Sequence, residues 1–189
     1  MDYKFKKACQ LIKNGEVVIF PTETVYGIGA SINYPESIDK IFTTKERDKS
    51  KPMQILVSNL NQIKTLVKEI PKVAEEIIEK YMPGPITILL YKSGEVSGLI
   101  TAGSDKVGIR FPDNELTLKL INECGPLVAT SANLSGQKPA ATAKEAEKYF
   151  PDLFILDGGK CKYKEASAVV DLTFSPYKIL RKGPIEIRM

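Results

Sequence analysis

The stretch PTETVYGIG at residues 21–29 directly follows the apolar run EVVIF at residues 16–20. The apolar run predicts a buried strand that Pro21 ends. Ligands of α/β folds bind at the carboxyl ends of strands, so hydroxyls, a carboxylate and a phenol beside two glycines indicate a binding site here. A tight turn whose threonines cap a following helix explains the stretch equally well, and the residues alone leave both interpretations open. A dinucleotide-binding loop is excluded because the third glycine is missing.

Hydrophobic periodicity along the rest of the chain predicts an α/β domain. Helices are expected at residues 5–12, from Pro35, on either side of Pro71 between residues 60 and 82, at residues 116–124, and from a capping box at Thr142 and Glu145 to Phe150. Further strands are expected at residues 53–57, 86–91, 106–111, 127–130, 153–156, 168–172 and 178–180. The last third has strands without clear helices between them, which favours a mixed sheet. Residues 1–189 are expected to form a single domain.

The composition excludes several kinds of chemistry. The 189 residues contain no histidine and three widely spaced cysteines, Cys9, Cys124 and Cys161. Histidine-based nucleophilic sites are therefore excluded, and neither a zinc site nor a disulfide framework is indicated. No apolar run is long enough to span a bilayer and the N-terminus lacks a secretory signal, so we expect a location in the reducing cytoplasm and no membrane contact. Catalysis would then depend on positioning and charge stabilisation.

Cations cluster at the end of the second predicted helix. Lys45, Arg47, Lys49 and Lys51 fall within seven positions, and the net charge of the chain is +4. Such a cluster often does no more than complement the helix C-terminal dipole in solvent. It also suits a polyphosphate, because a guanidinium offers a planar fork and ammonium groups act as point charges. No P-loop is present, so a bound nucleotide would depend strongly on these cations.

Other candidate residues lie at the ends of predicted strands. The turn SANLSG at residues 131–136 can form an anion-binding nest or be an ordinary polar turn. Arg110 lies inside the apolar run VGIRF, where a buried guanidinium needs an anionic partner, unless it points outward from an edge strand. Ser167 opens one predicted strand and Arg181 ends another.

Seven short motifs together resemble the YrdC/TsaC family of threonylcarbamoyl-AMP synthases, and the resemblance covers residues 5–185. In chain order they are PTETVYGIG, KER with Lys51–Pro52, PGP, GIRFP, SANLSG, SAVVD and ILRKG. The resemblance implies a YrdC/RibB-like fold: a twisted open mixed β-sheet with flanking helices and a basic concave cavity. It implies that L-threonine contacts Thr24, Arg110, Ala129 and Ser167. It implies that ATP contacts Lys45, Arg47, Lys51, Ser131, Asn133 and Arg181, with Lys45 and Arg47 as the catalytic residues.

The resemblance also implies a reaction and its partners. The expected enzyme is a nucleotidyltransferase that makes threonylcarbamoyl-AMP and pyrophosphate from L-threonine, bicarbonate or CO2, and ATP, in the first step of N6-threonylcarbamoyladenosine formation in tRNA. ATP with Mg²⁺ is expected as a substrate, without a metal site on the protein or an organic cofactor. Contact with tRNA and a hand-over to downstream threonylcarbamoyl-transferase proteins are expected.

Two alternatives remain beside this interpretation. One is a non-catalytic module that binds double-stranded RNA or tRNA through the same cations. The other is a carbamoyl-transferring enzyme like the related domain of hydrogenase maturation proteins. Three residues depart from the family pattern at the rim of the expected pocket: Lys106 stands where many relatives have a threonine, Leu56 where longer relatives have a polar residue, and Pro139 where some relatives have a serine. The chain ends at Met189, so we expect that closure of the site does not use the extra C-terminal domain of longer relatives.

Overall fold

The computed structural model describes residues 3–188. The helices in this range are α1 (Tyr3–Lys13), α2 (Pro35–Thr44), α3 (Leu60–Leu66), α4 (Lys72–Tyr81), α5 (Gly98–Thr101), α6 (Glu115–Cys124) and α7 (Ala143–Tyr149). The strands are β1 (Val18–Phe20), β2 (Gly27–Ser31), β3 (Gln54–Leu56), β4 (Ile86–Tyr91), β5 (Lys106–Arg110), β6 (Leu127–Ser131), β7 (Phe154–Ile155), β8 (Ala168–Asp171) and β9 (Lys178–Arg181).

The strands form one open sheet in the order β7-β1-β2-β6-β3-β5-β4-β8-β9. The pairs β1–β7, β3–β5 and β4–β8 are parallel, and the other neighbours are antiparallel. The predicted α/β class and mixed sheet are therefore confirmed. Strand β6 lies between β2 and β3, so the sheet interleaves segments that are distant in sequence.

Apolar side chains cover both faces of this sheet. On one face α1 and α6 pack through Phe5, Ile12 and Leu120 against a cluster that includes Phe20 and Leu56. The larger cluster on the other face collects the buried residues of α2, α3 and α4. Alternate residues of each strand point to opposite faces, which explains why neighbouring strand residues belong to different clusters.

Residues 27–31 form strand β2, so the stretch at residues 21–29 leads into a strand and not into the helix that its alternative interpretation as a helix-capping turn required. The segment GIGAS pairs with β1 on one side and β6 on the other and is buried throughout. A side chain at Gly29 would place its Cβ 2.5 Å from the carbonyl oxygen of Val128, so only glycine fits between these strands. Because the segment is short and contains two glycines, its hydrophobic periodicity does not indicate a strand.

Two smaller elements also bear on the sequence analysis. Helix α5 was not among the helices expected from the sequence. Thr142 caps α7 as expected, since its hydroxyl accepts from the backbone N–H of Glu145 at 3.2 Å, while the Glu145 carboxylate accepts from the N–H of Ala141 at 2.7 Å and not from that of Thr142. No helix within residues 3–188 is long and apolar enough to cross a membrane.

Candidate active site

A cavity of about 390 Å³ opens over the part of the sheet formed by β6, β3, β5, β4, β8 and β9. It lies on the face that α1 and α6 cover elsewhere, because Leu56 and Ala129 belong both to the cluster under those helices and to the cavity wall. Its volume is within the range of small-molecule sites. Its cationic lining side chains are Arg47, Lys106, Arg110 and Arg181, and no carboxylate lines it among residues 3–188. The expected basic concave cavity is therefore present.

Many of the predicted site residues line this cavity. They are Arg47, Arg110, Ala129, Ser131, Ser167 and Arg181. They come from the loop after α2, from β5, β6 and β9, and from the residue before β8, so the sheet brings together positions far apart in sequence. The buried residues Thr24, Lys45 and Asn133 lie behind the wall, and Lys51 is exposed outside it.

Arg110 ends β5 in a buried ion pair. Its Nη2 donates to Oε1 of Glu23 at 2.9 Å and to Oγ1 of Thr24 at 2.6 Å, and both charged side chains are 3% exposed. The anionic partner that a buried arginine requires is therefore Glu23, within the PTETVYG stretch. Among the described residues, neither Oε2 of Glu23 nor Nε of Arg110 has a hydrogen-bond partner. The hydrogen-bonding groups of this ion pair are therefore only partly satisfied by the protein, as is common where a polar ligand completes a site.

Lys45 supports the turn that carries Ser131. It is 1% exposed, and its ammonium group donates to the backbone carbonyls of Ser131 and Asn133. The backbone N–H of Ser135 donates to the carbonyl of Lys45 at 3.0 Å. Burial, with a smaller contribution from the charge of Arg47, lowers the pKa of Lys45 to about 7. The ammonium group of Lys45 therefore holds the turn in position and does not face the cavity.

Asn133 and Arg47 each hold backbone in place beside the cavity. The side-chain amide of Asn133 donates to the carbonyls of Leu134 at 2.7 Å and Gln137 at 2.9 Å. Arg47 donates from Nη2 to the carbonyl of Pro52 at 2.8 Å and from Nε to that of Lys51 at 3.3 Å. These contacts fix one edge of the Arg47 guanidinium and leave the group at the cavity wall.

A chain of polar side chains crosses the cavity floor. Arg181 donates from Nε to the carbonyl of Ser167 at 2.9 Å and from Nη2 to its Oγ at 3.3 Å. The Ser167 hydroxyl is 2.9 Å from the hydroxyl of Thr87, which donates to Oε1 of Gln54 at 2.6 Å. Neither Thr87 nor Gln54 was among the site residues predicted from the sequence. The sequence offered one indication of Thr87: it is a polar residue in the otherwise apolar strand β4, where alternate residues face the same side of the sheet.

Lys106 closes one side of the cavity. Its ammonium group lies 2.9 Å from Oδ2 of Asp171 and 4.3 Å from the ring centroid of Phe174. Burial raises the pKa of Asp171, but hydrogen bonds from Thr173 and Lys106 outweigh burial and hold that pKa below its ordinary value. The rim residue that departs from many relatives is thus part of an ion pair.

Tyr26 connects the PTETVYG stretch to a second loop that the sequence analysis did not identify. Its hydroxyl lies 3.0 Å from Oδ1 of Asp157 and 2.8 Å from the carbonyl of Gly159, and it accepts from the N–H of Gly158 at 3.1 Å. Burial raises the pKa of Tyr26 above its ordinary value, so the phenol stays protonated.

None of the three cysteines is among the residues that line the cavity. All three are free thiols. Burial raises the pKa of Cys161 to about 11 and that of Cys124 to about 12, which makes these thiols poor nucleophiles. Residues 3–188 contain no group of three or more Cys, Asp or Glu side chains that could hold a metal ion.

Comparison with known proteins places this cavity in a described family. The family model of Sua5, YciO and YrdC, described as "Telomere recombination", matches residues 10–183. Curated relatives include the threonylcarbamoyl-AMP synthase of Pyrococcus abyssi, 39% identical over 98% of this chain and 56% of the relative, and that of Bacillus subtilis, 37% identical over 97% and 54%. A putative threonylcarbamoyl-AMP synthase of Methanocaldococcus jannaschii is 33% identical over 97% of this chain and 89% of the relative. This chain thus spans about half the length of the first two relatives.

Solved structures agree with the fold. Pyrococcus abyssi Sua5 complexed with L-threonine has a TM-score of 0.93 at 38% identity, over 96% of this chain and 54% of that one. Escherichia coli YciO has a TM-score of 0.86 at 20% identity, over 96% and 90% of the two chains, and supports the fold alone. The match over most of the sequence, together with the YrdC-like mixed sheet and its basic cavity, means that this chain belongs to the Sua5/YciO/YrdC family.

Proposed function

We propose that this chain is an L-threonylcarbamoyladenylate synthase, a nucleotidyltransferase that forms threonylcarbamoyl-AMP and pyrophosphate from L-threonine, bicarbonate or CO2, and ATP. The observation that carries the proposal is the cavity, where Arg47, Arg110, Ser131, Ser167 and Arg181 meet. The names of the curated relatives support this activity over a non-catalytic RNA-binding module.

The threonine end of the cavity is proposed at Arg110. The guanidinium would bind the α-carboxylate of threonine, while Glu23 and Thr24 hold its Nη2 in place. Ala129 would pack against the substrate, since its small side chain lines the wall. Ser167 would contact a polar group of the amino acid. A buried guanidinium with one protein carboxylate can take a second one when another cation is near, and Arg181 supplies that charge.

The nucleotide end is proposed at Arg47, Ser131 and Arg181. The two guanidinium groups would neutralise phosphate charge, and Ser131 would donate to a phosphate oxygen. Lys45 would act mainly by holding the carbonyls of the Ser131 turn. Lys51, which lies outside the wall, would reach the phosphates only at the cavity mouth. Asn133 would keep the turn closed.

The chemistry follows from alignment and charge. The neutral threonine amine attacks CO2 derived from bicarbonate and loses one proton to solvent as it becomes a carbamate, and a carbamate oxygen then attacks the α-phosphorus of ATP with loss of pyrophosphate. The substrates supply both nucleophiles, so a histidine-free site needs only to align them and to stabilise the developing charge. Because no carboxylate lines the cavity among residues 3–188, Mg²⁺ would be held by the phosphate oxygens of ATP and by water.

The wider role is proposed on the same basis. Threonylcarbamoyl-AMP would pass to downstream threonylcarbamoyl-transferase proteins that modify tRNA, with tRNA contact through the basic cavity mouth. We place the enzyme in the cytoplasm, where tRNA is modified. The nine strands described within residues 3–188 form a single sheet, which supports the proposal of one domain over residues 1–189.

The test is pyrophosphate release by the purified full chain. Release is expected only when ATP, L-threonine and bicarbonate are all present, and each substrate is omitted in turn. Equal release without threonine would contradict the proposal. Arg110→Ala should weaken threonine binding far more than ATP binding, and an equal loss of both would instead indicate a structural role for this arginine.

A further inference from the structure

The hydrogen-bonded chain across the cavity floor joins Ser167 and Arg181 of the proposed site to Thr87 and Gln54, which are assigned no role in the proposed reaction. It runs from Arg181 on β9 through Ser167 and Thr87 to Gln54 on β3. Thr87 and Gln54 line the cavity, so the chain lies directly under any bound ligand. Its members come from separate strands, and each hydrogen bond therefore depends on the register of the sheet.

Glycine at position 108 makes this row of hydrogen-bonded side chains possible. Strand β5 lies between β3 and β4, and Gly108 pairs with Gln54 on one side and Leu89 on the other. A Cβ at Gly108 would stand 3.3 Å from Cγ2 of Thr87 and 3.5 Å from Cβ of Gln54. Because that space is open, the side chains of Gln54 and Thr87 meet across the intervening strand.

The hydrogen bonds of the chain have one direction. The carbonyl oxygen of Gln54 can only accept, so the single hydroxyl proton of Thr87 is donated to it. Thr87 must then accept from the Ser167 hydroxyl, 2.9 Å away. With its only proton used, the Ser167 oxygen keeps two lone pairs, and Arg181 donates to one of them. The other lone pair remains for a ligand.

We propose that Gln54 and Thr87 are positioning residues that fix Ser167 as a hydrogen-bond acceptor and thereby select an amino acid with a donor hydroxyl on its β-carbon. The inference rests on the proposed function and assigns the basis of its amino acid specificity. With the α-carboxylate at Arg110, the β-hydroxyl of threonine donates to Ser167. Valine has the same shape but offers a methyl group there, which leaves the serine oxygen without its donor.

The experiment measures the dissociation constants of L-threonine and L-valine by calorimetry with the full chain. The wild type should bind threonine at least about tenfold more tightly than valine. Thr87→Val, which keeps the shape and removes the hydroxyl, should reduce this preference by roughly three- to tenfold. Thr87→Ser should restore it. Gln54 is half-buried, and Gln54→Leu removes the acceptor that orients the hydrogen bonds between Thr87 and Ser167. This variant should reduce the preference for threonine in the same way.

The outcomes separate the inference from the function on which it rests. An unchanged preference in Thr87→Val and Gln54→Leu would overturn the inference, as would equal binding of valine by the wild type. Failure of Thr87→Ser to restore the preference would show that packing, not the hydroxyl, sets it. A wild type that binds neither amino acid would overturn both proposals. A wild type with the expected selectivity that releases no pyrophosphate would overturn only the proposed function.

Discussion

Burial of Lys45 makes stability depend on pH in a direction that can be measured. Its pKa falls from 10.5 to about 7 in the folded protein because the ammonium group is desolvated, and the unfolded chain restores the ordinary value. Between these values the unfolded state holds a proton that the folded state has lost. Stability therefore rises with pH through this interval, which is the opposite of the usual effect of a lysine that gains an acidic partner.

The expected magnitude follows from proton linkage. A full difference of one bound proton changes the free energy of unfolding by about 1.4 kcal/mol per pH unit. At pH 7 the folded lysine is half protonated, so the contribution of Lys45 should increase by roughly 2 kcal/mol between pH 7 and pH 9. Other titrating groups contribute to the total, and a variant without this ammonium group removes only the Lys45 term.

The assay is urea unfolding of the wild type and of Lys45→Met at both pH values. The wild type should gain about 2 kcal/mol more stability than Lys45→Met on going from pH 7 to pH 9. Lys49→Met is the matched control, because Lys49 belongs to the same cation cluster but forms an exposed ion pair with Asp39. Parallel changes in the wild type and Lys45→Met would show that Lys45 keeps an ordinary pKa, and the account of its burial would be refuted.

Three further predictions concern other parts of the molecule. Glu23→Leu should lower the free energy of unfolding by about 3–5 kcal/mol, because it leaves the buried guanidinium of Arg110 unpaired, and urea unfolding measures this loss. Gly29→Ala should destabilise by about 1–3 kcal/mol through its contact with a backbone carbonyl of the neighbouring strand, whereas Gly94→Ala, where a Cβ would meet open space, should not. Arg47→Ala should weaken ATP binding by about 1.5–3 kcal/mol in calorimetry, and an unchanged affinity would exclude a phosphate contact.

Sequence patterns predicted the fold class and much of the cavity for physical reasons. An arginine inside an apolar strand requires a buried anion, and Arg110 indeed pairs with Glu23. Local periodicity could not reveal that β2 is a strand, because its glycines are selected by close packing against β6. Nor could it place Lys45, since a charge at the end of a helix usually faces solvent. The partners of Gln54 depend on strand order, which spacing in the sequence does not contain.

The insertion of β6 between β2 and β3 has a consequence for synthesis on the ribosome. The growing chain makes β2 and β3 early, but their shared neighbour comes only with residues 127–131. Until that segment leaves the exit tunnel, β2 can pair only with β1 and β3 only with β5, so each strand keeps one edge of unpaired backbone exposed. A nascent chain that stalls before this point would present two open strand edges, which favour aggregation, and the part of the cavity wall that β6 contributes is completed only late in synthesis.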